Sequence, residues 1–414
     1  MSEQDKTALT PAFGPLQGVR VLSTGSVIAS PYACQILGEL GAEVIHVERP
    51  GVGDMMKAEG RTNGVYPAWS ARARNRLSIT LNMKMDNDEA RKIFLGLIKK
   101  SDIWIESLVW LDKLGITDEM VREVNPKIVI VHVSGFGRPQ FGGVPEICDR
   151  PSFDVIGQAF SGFMSIQGEE GKMYPISKPT LNDYHAALYA AVGALAGYVR
   201  AQKTGKGDVI DMAQFEADAA ILGHFVVAYT LSGNLPARTG NAFTNAPYDL
   251  YEVGGGDYVA VGTLGKPLYD RAVAAMGFDP QEWTFAECGV NPTAMNSEKG
   301  RAFDALVRDW MRAHSAAEVE DIFSAAHVPA AKVNTLADLL ENEHFIARGD
   351  KITWADEDSG REVTGVAPVP KFQDNPGRVW RGAPATGQDT EAVLKTLLGY
   401  TPEQIDAARM ARAI

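Results

Sequence analysis

The chain has 414 residues, of which 45% are hydrophobic and 22% charged, so it is long enough for two domains and has an ordinary globular composition. Its formal net charge of −12 argues against nucleic acid or an anionic membrane surface as the main partner. No apolar run is long enough for a transmembrane helix, and the first residues lack the pattern of a secretory signal. These features favour a cytoplasmic enzyme.

The cysteines and histidines are scattered along the chain. Cys34, Cys148 and Cys288 form no CxxC pair, and no two histidines are spaced as in HxxxH or HxH. This spacing argues against a metal site and against dithiol redox chemistry. We therefore expect neither a bound metal nor a permanently bound cofactor.

The first elements of the chain form a βαβ pattern. Residues 18–24 are predicted as a strand, residues 31–40 as a helix and residues 43–47 as a second strand, which is typical of a doubly wound α/β fold. The turn Thr24–Pro31 lacks the G-x-G-x-x-G pattern that lets a dinucleotide pyrophosphate approach the helix. An NAD(P)-dependent, Rossmann-type oxidoreductase is therefore kept only as an alternative.

Three arginines precede the next predicted strand, Leu77–Asn82. Arg72, Arg74 and Arg76 stand at alternate positions, which would place their side chains on one side of an extended segment. Because Arg binds phosphate through paired hydrogen bonds, the row suits a phosphate-bearing ligand. The alternative is a solvated charged edge.

Two further strands are predicted at residues 102–106 and 127–133. The second is a near-continuous β-branched run, as found in parallel sheets that are buried on both faces. It ends in Ser134–Gly137. Ligands of open α/β sheets bind outside the carboxyl ends of the strands, so this turn is predicted to lie at the ligand site.

A long helix is predicted from Asn182 or Asp183 to Gly205. Asp183 has two interpretations: it caps the helix by accepting first-turn N–H groups, or it is an ionised nucleophile that the helix dipole keeps charged. The residues predicted to form the buried face of this helix are Tyr184, Leu188, Ala191, Val192, Leu195, Tyr198 and Val199.

The composition changes after residue 225. A Gly-, Asn- and Pro-rich loop at residues 232–245 precedes a predicted hairpin at residues 248–262, and helices follow up to residue 341. We predict a large α/β domain at residues 1–225, a small α+β domain at 226–345 and a return to the large domain at 346–414.

Several short motifs, in a fixed order, resemble class III coenzyme A (CoA) transferases of the CaiB/BaiF type. The parts that carry the resemblance are Gly18–Leu22, Leu40–Arg49, Asn125–Gly137, Gln158–Met164, Asp183, Thr204–Gly207 and Trp380–Pro384. Gly115–Glu119, His132–Gly137 and Trp380–Pro384 are most similar to the carnitine/γ-butyrobetaine and bile-acid transferases of that family.

The resemblance implies a reaction and its site residues. Asp183 matches the catalytic nucleophile, which attacks an acyl-CoA thioester and carries the group first as a mixed anhydride and then as an aspartyl-CoA thioester. The loop Thr239–Ala246 matches the segment that covers the site in the family. The positions that match the family's CoA contacts are Ala29, Arg49, Asn75, Arg76, Lys113, Ser134 and Phe136.

The resemblance also implies the partners. They are an acyl-CoA and a small carboxylic acid, carnitine-like or bile-acid-like, together with a second copy of the chain in an interlocked homodimer that has a Rossmann-like large domain in each chain. Besides the oxidoreductase, one further alternative stays open, a CoA-binding protein without catalytic activity.

Overall fold

A computed structural model describes residues 8–108, 110–240 and 247–414 of the chain. The described residues form two compact units, the first within residues 8–164, 175–234 and 346–414 and the second within residues 165–174 and 235–345. The strands, in chain order, are β1 (Arg20–Ser23), β2 (Glu43–Glu48), β3 (Arg76–Thr80), β4 (Ile103–Glu106), β5 (Val129–Ser134), β6 (Gly168–Glu169), β7 (Lys172–Met173), β8 (Val209–Ala213), β9 (Tyr248–Glu252), β10 (Tyr258–Gly262), β11 (Ala330–Lys332), β12 (Lys351–Ala355) and β13 (Glu362–Val366).

The helices account for most of the remaining regular structure. In chain order they are α1 (Ala29–Glu39), α2 (Pro67–Arg72), α3 (Asp88–Lys100), α4 (Leu111–Leu114), α5 (Asp118–Val124), α6 (Pro145–Cys148), α7 (Asp154–Phe160), α8 (Leu181–Thr204), α9 (Gln214–Leu222), α10 (His224–Ser232), α11 (Lys266–Ala275), α12 (Phe285–Cys288), α13 (Pro292–Met295), α14 (Glu298–Arg312), α15 (Ala316–Ala325), α16 (Leu336–Glu341), α17 (Glu343–Ala347), α18 (Thr390–Leu398) and α19 (Pro402–Met410). Short 3-10 turns lie at Met55–Glu59, Pro139–Phe141 and Phe163–Ile166.

A six-stranded parallel sheet forms the centre of the first unit. Its strand order is β3-β2-β1-β4-β5-β8, and the direction in which strands are added reverses between β1 and β4. Strands β4 and β5 are buried on both faces, as their apolar runs predict. The predicted α/β class with a parallel sheet is thus confirmed.

Helices cover both faces of this sheet. On one face α1 and α8 pack against alternate residues of the strands, including Val21, Ile105 and Val131. The opposite face, with Leu22 and Trp104, is covered by α3 and by the C-terminal helices α18 and α19. The end of the chain therefore supplies part of the core around the first strands.

Helix α8 contacts the sheet through small side chains. Its buried positions are mainly Ala, and a Cβ added at Gly197 would lie 2.6 Å from Val129 Cγ1. Leu188, Val192 and Val199 are instead 51%, 64% and 50% exposed. The predicted buried face is therefore wrong for these three residues, because close approach to the sheet selects Ala and Gly rather than the larger apolar side chains.

The second unit contains a three-stranded antiparallel sheet in the order β11-β10-β9. Strands β9 and β10 form the predicted hairpin, with Val259 opposite Tyr251. Helices α11, α14 and α15 cover the sheet with a core that includes Tyr269, Phe303 and Phe323. This architecture agrees with the α+β character that the sequence indicates for the region.

Candidate active site

Asp183 is the third residue of α8, a 24-residue helix that begins at Leu181. The helix leads into β8, which runs parallel to β5, so its first turn lies at the carboxyl edge of the sheet. The backbone N–H groups of Asn182 and Asp183 donate to Oδ1 of Asp154, across 2.7 and 3.3 Å. Asp154, and not Asp183, is therefore the carboxylate that caps this helix.

The carboxylate of Asp183 is nearly buried, with 7% of the residue exposed. Its Oδ1 accepts a hydrogen bond of 2.5 Å from Nε2 of Gln214, the first residue of α9. Among the described residues, none donates a hydrogen bond to Oδ2. One oxygen of the carboxylate is thus held by Gln214, and the Thr180 hydroxyl is a second side-chain group that stabilises the ionised form of Asp183.

Burial and the neighbouring Asp154 carboxylate raise the pKa of Asp183 to about 7. Arg72, the Thr180 hydroxyl and Gln214 act in the opposite direction but do not cancel this effect. The sequence predicted that the helix dipole keeps Asp183 ionised. Desolvation of the carboxylate has the larger effect and raises its pKa. The group consequently titrates in the neutral pH range, where a carboxylate can serve as both nucleophile and leaving group.

A cationic residue lies beside this carboxyl group. Nε of Arg72 donates to the Tyr184 hydroxyl across 2.8 Å, and the Tyr184 ring meets Tyr32 edge-on with centroids 4.7 Å apart. Nη1 of Arg72 is buried and has no hydrogen-bond partner. The charge of Arg72 favours the ionised form of Asp183 and lowers its pKa.

The predicted row of three arginines does not exist as an extended segment. Arg72 ends α2, and Asn75 adopts a left-handed φ of 61°, so the backbone turns between them. Arg74 forms a buried ion pair with Glu39, with 2.5 Å between Nε and Oε1, while Arg76 is fully buried and donates to the carbonyl of Pro31. The helix and the turn direct the three side chains to different partners.

Four of the residues that match family CoA contacts follow carboxyl ends of strands. Ala29 opens α1 after β1, Arg49 is exposed after β2, and Ser134 and Phe136 follow the main part of β5. The Ser134 hydroxyl accepts the Gly137 N–H across 2.9 Å, and Phe136 packs edge-on against Phe160 with centroids 4.9 Å apart. One edge of the sheet therefore carries these four positions.

The other three positions have different surroundings. Asn75 precedes β3 at the amino edge, and its side chain bonds the carbonyls of Gly38 and Arg378 and the N–H of Trp380. The Nε and Nη1 atoms of Arg76 are buried without hydrogen-bond partners. Lys113 is exposed, with Nζ 4.5 Å from the centre of the Trp110 ring.

Comparisons with known proteins identify the family. The model of CoA-transferase family III matches residues 16–390, which is most of the chain. The chain belongs to CoA-transferase family III. It is 38% identical to the bile acid CoA-transferase BaiK of Clostridium scindens over 96% of this chain and 88% of that protein. The protein is accordingly a class III CoA-transferase.

Solved structures agree with the family assignment. A CAIB/BAIF family protein from Brucella suis superposes with a TM-score of 0.78 and 26% identity over 93% of this chain and all of that one. Rv3272 from Mycobacterium tuberculosis has a TM-score of 0.74 at 20% identity, over 92% of this chain and 99% of that one, and shares the fold. These matches show that the parallel sheet and its helices have the fold of CAIB/BAIF family proteins.

Sequence reasoning overlooked the two residues in closest contact with Asp183 and its helix turn. Gln214 directly follows β8, and the carboxyl end of a parallel strand was the signal that could have found it. Asp154 lies 29 residues before Asp183, so only the folded chain brings them together. The covering loop was predicted at Thr239–Ala246, and residues 241–246 lie outside the described residues.

Within residues 8–108, 110–240 and 247–414, no helix has the length and apolar character needed to cross a membrane. In those same ranges no three His, Cys, Asp or Glu side chains lie close enough to hold a metal ion.

Proposed function

We propose that this CoA-transferase moves CoA from an acyl-CoA thioester to a free carboxylic acid, with Asp183 as the covalent nucleophile. The observation that carries the proposal is the state of the Asp183 carboxyl group. It is nearly buried in the first turn of α8, one oxygen is held by Gln214, and burial raises its pKa to about 7. A desolvated carboxylate is a stronger nucleophile than a hydrated one, and a carboxylate adduct is also easily displaced.

The proposed reaction proceeds by four acyl substitutions. A carboxylate oxygen of Asp183 attacks the thioester carbonyl, the C–S bond breaks, and CoA thiolate leaves a mixed anhydride. The thiolate then attacks Cγ of Asp183 and expels the donor acid, which gives an aspartyl-CoA thioester. The acceptor carboxylate attacks the same carbon and releases thiolate, and thiolate finally attacks the acceptor acyl carbon, which frees Asp183. No electrons are gained or lost in any step.

We further propose that CoA lies along the carboxyl edge of the parallel sheet. Ala29, Arg49, Ser134 and Phe136 follow strand ends there, and exposed Arg49 has the guanidinium needed to bind phosphate. The family match also predicts contacts at Asn75, Arg76 and Lys113, but Asn75 lies at the opposite, amino edge of the sheet, where its side chain bonds Gly38, Arg378 and Trp380. Arg76 is fully buried and its Nε and Nη1 atoms lack hydrogen-bond partners, so a phosphate contact at this residue requires its guanidinium to become accessible first.

The acid substrate is proposed to be bile-acid-like or carnitine-like. The relative BaiK is a bile acid CoA-transferase, and its 38% identity to this chain favours the bile-acid-like substrate. Tyr184 follows Asp183 in α8, accepts a hydrogen bond from Arg72 and contacts the ring of Tyr32, and such aromatic rings suit either a bulky apolar acid or a quaternary ammonium group. Competition between cholate and carnitine as acceptors in one assay separates these substrates.

A homodimer is part of the same proposal. Leu188, Val192 and Val199 each expose half or more of their surface along α8. A row of exposed apolar side chains on one helix is typical of a protein interface. The interlocked arrangement, the division at residues 225 and 345, and the cytoplasmic location stay predictions.

Mass spectrometry of the peptide that contains Asp183 tests the covalent step. After incubation with a panel of acyl-CoA thioesters, a CoA-mass adduct on this peptide and transfer of CoA to a free acid are expected. Asp183→Asn should give neither. An enzyme that transfers CoA at the wild-type rate with Asn at this position would contradict the proposal.

A further inference from the structure

Gln214 has an unusual place in the first unit. It is the first residue of α9, follows β8 directly and is nearly buried. Its backbone carbonyl accepts Nδ2 of Asn182 across 2.7 Å, while its side-chain Nε2 donates to Asp183 Oδ1 across 2.5 Å. Among the described residues, this is the one hydrogen bond made by the Gln214 side chain. Gln214 thus bonds the first turn of α8 through both its backbone and its side chain, and its side-chain amide donates only to Asp183.

We propose that Gln214 selects Oδ2 of Asp183 as the attacking oxygen and donates its Nε2–H to Oδ1 throughout the reaction, where it stabilises the oxyanion that forms at Asp183. This proposal rests on the proposed function. It deepens that function by assigning different tasks to the two carboxylate oxygens.

The bond changes show why a donor at Oδ1 matters. When Oδ2 attacks the thioester carbonyl, Oδ2 becomes the bridging oxygen of the anhydride and Oδ1 becomes its aspartyl carbonyl oxygen. Thiolate attack on Cγ then moves the carbonyl electron pair onto Oδ1 and forms an oxyanion. When this electron pair forms the carbonyl again, the Cγ–Oδ2 bond breaks and the donor acid leaves with Oδ2. The acceptor carboxylate produces the same charge on Oδ1 when it attacks the aspartyl thioester.

A neutral amide is well suited to this task. Donors that are already aimed at a developing oxyanion lower the barrier, and removal of one such donor costs about 10²- to 10³-fold in rate. A Lys or Arg at the same place would form an ion pair with the free carboxylate and would weaken it as a nucleophile. The Gln amide donates to both the carboxylate and the oxyanion and takes up no proton itself.

The test compares Gln214→Leu with a matched control, Gln35→Leu. Gln35 is also a buried glutamine whose Nε2 bonds a carboxylate, Glu39, across 2.7 Å, but it lies in α1 and has no part in the proposed chemistry. Gln214→Leu is expected to lose about 10²-fold in kcat, to keep its KM for the acyl-CoA, and to shift the acidic limb of its pH–rate profile to higher pH. Gln35→Leu should keep the wild-type kcat and profile.

A second variant, Gln214→Glu, keeps the shape of the side chain and replaces the donor by an acceptor. It is expected to lose more activity at pH 7 than Gln214→Leu, because the added negative charge further disfavours ionised Asp183. Either variant with wild-type kcat and an unchanged pH profile would overturn the role of Gln214. Wild-type enzyme assayed in parallel separates the two proposals, because absence of transfer and of an Asp183 adduct in that sample would contradict the proposed function itself.

Discussion

Oδ1 of Asp154 accepts the backbone N–H of Asp183 across 3.3 Å, so the first turn of α8 is capped by a carboxylate from another helix. The arrangement satisfies N–H groups that the helix leaves free, and it also places one negative charge near another. The pKa of Asp183 is raised by burial and by this neighbour, and the pKa of Asp154 is raised mainly by burial. The Asp154 carboxylate therefore both caps α8 and raises the pKa of Asp183.

Asp154→Asn should lower the pH at which the enzyme becomes active. The Asn oxygen can still accept the first-turn N–H groups, but the charge that disfavours ionised Asp183 is gone, so the pKa of Asp183 falls. The acidic limb of kcat/KM against pH reports this shift. Asp154→Ala is the comparison, since loss of the cap itself should cost about 0.5 to 2 kcal/mol of unfolding free energy.

Asp183→Asn should abolish transfer and stabilise the fold at alkaline pH. The pKa of Asp183 rises from 3.8 to about 7 on folding, so the wild-type protein loses stability as pH rises between these values. The stability gained by the variant, measured by urea unfolding, should be about 3 kcal/mol larger at pH 8 than at pH 5. A variant that is destabilised equally at both pH values would instead identify Asp183 as a simple structural contact.

Activity of the wild-type enzyme should rise with pH through a midpoint near 7, because the ionised form of Asp183 is the proposed nucleophile. Arg72→Gln should move this midpoint to higher pH, since the Arg72 charge lowers the pKa of Asp183. Arg91→Gln, a change at an exposed position of α3, is the control and should leave the profile unchanged. An identical profile for all three enzymes would exclude Arg72 as an electrostatic partner.

Gly197→Ala should destabilise the first unit by about 1 to 3 kcal/mol. Its new Cβ would lie 2.6 Å from Val129 Cγ1 in a packed core, which is closer than van der Waals contact. Gly193→Ala in the same helix is the matched comparison and should cost less, because its Cβ would lie 3.1 Å from Ile210 Cγ2. Thermal unfolding of the two variants measures how much stability each loses, and a larger loss of stability for Gly193→Ala would contradict the prediction.

Val192→Glu should weaken the proposed homodimer. The side chain is 64% exposed on α8 and lies within the apolar stripe, so a charge there would be buried on association. Light scattering after size-exclusion chromatography measures the dimer fraction over a dilution series. Met410→Glu, at a position 79% exposed on α19, is the control. Equal dimer stability in both variants would show that the apolar stripe of α8 is not part of the interface.

The sequence determined the α/β fold class and predicted Asp183 as the principal site residue. Strand β5 was recognisable because its β-branched run is buried on both faces, and the hairpin of β9 and β10 because Gly and Asp stand at its turn. Asp183 was identified by its place at the start of an apolar helix together with the resemblance to a family. These are local patterns, and local chemistry is what periodicity and turn residues encode.

Only the tertiary structure decided which groups surround Asp183 and which face of α8 is buried. Asp154, Arg72 and Gln214 come from three separate elements, and their proximity depends on how the helices pack at one edge of the sheet. Periodicity placed Leu188, Val192 and Val199 of α8 inside, but the helix approaches β5 so closely that its buried positions are mainly Ala, with Gly197 against Val129. Steric complementarity and desolvation depend on distances between remote segments, and a one-dimensional pattern does not contain those distances.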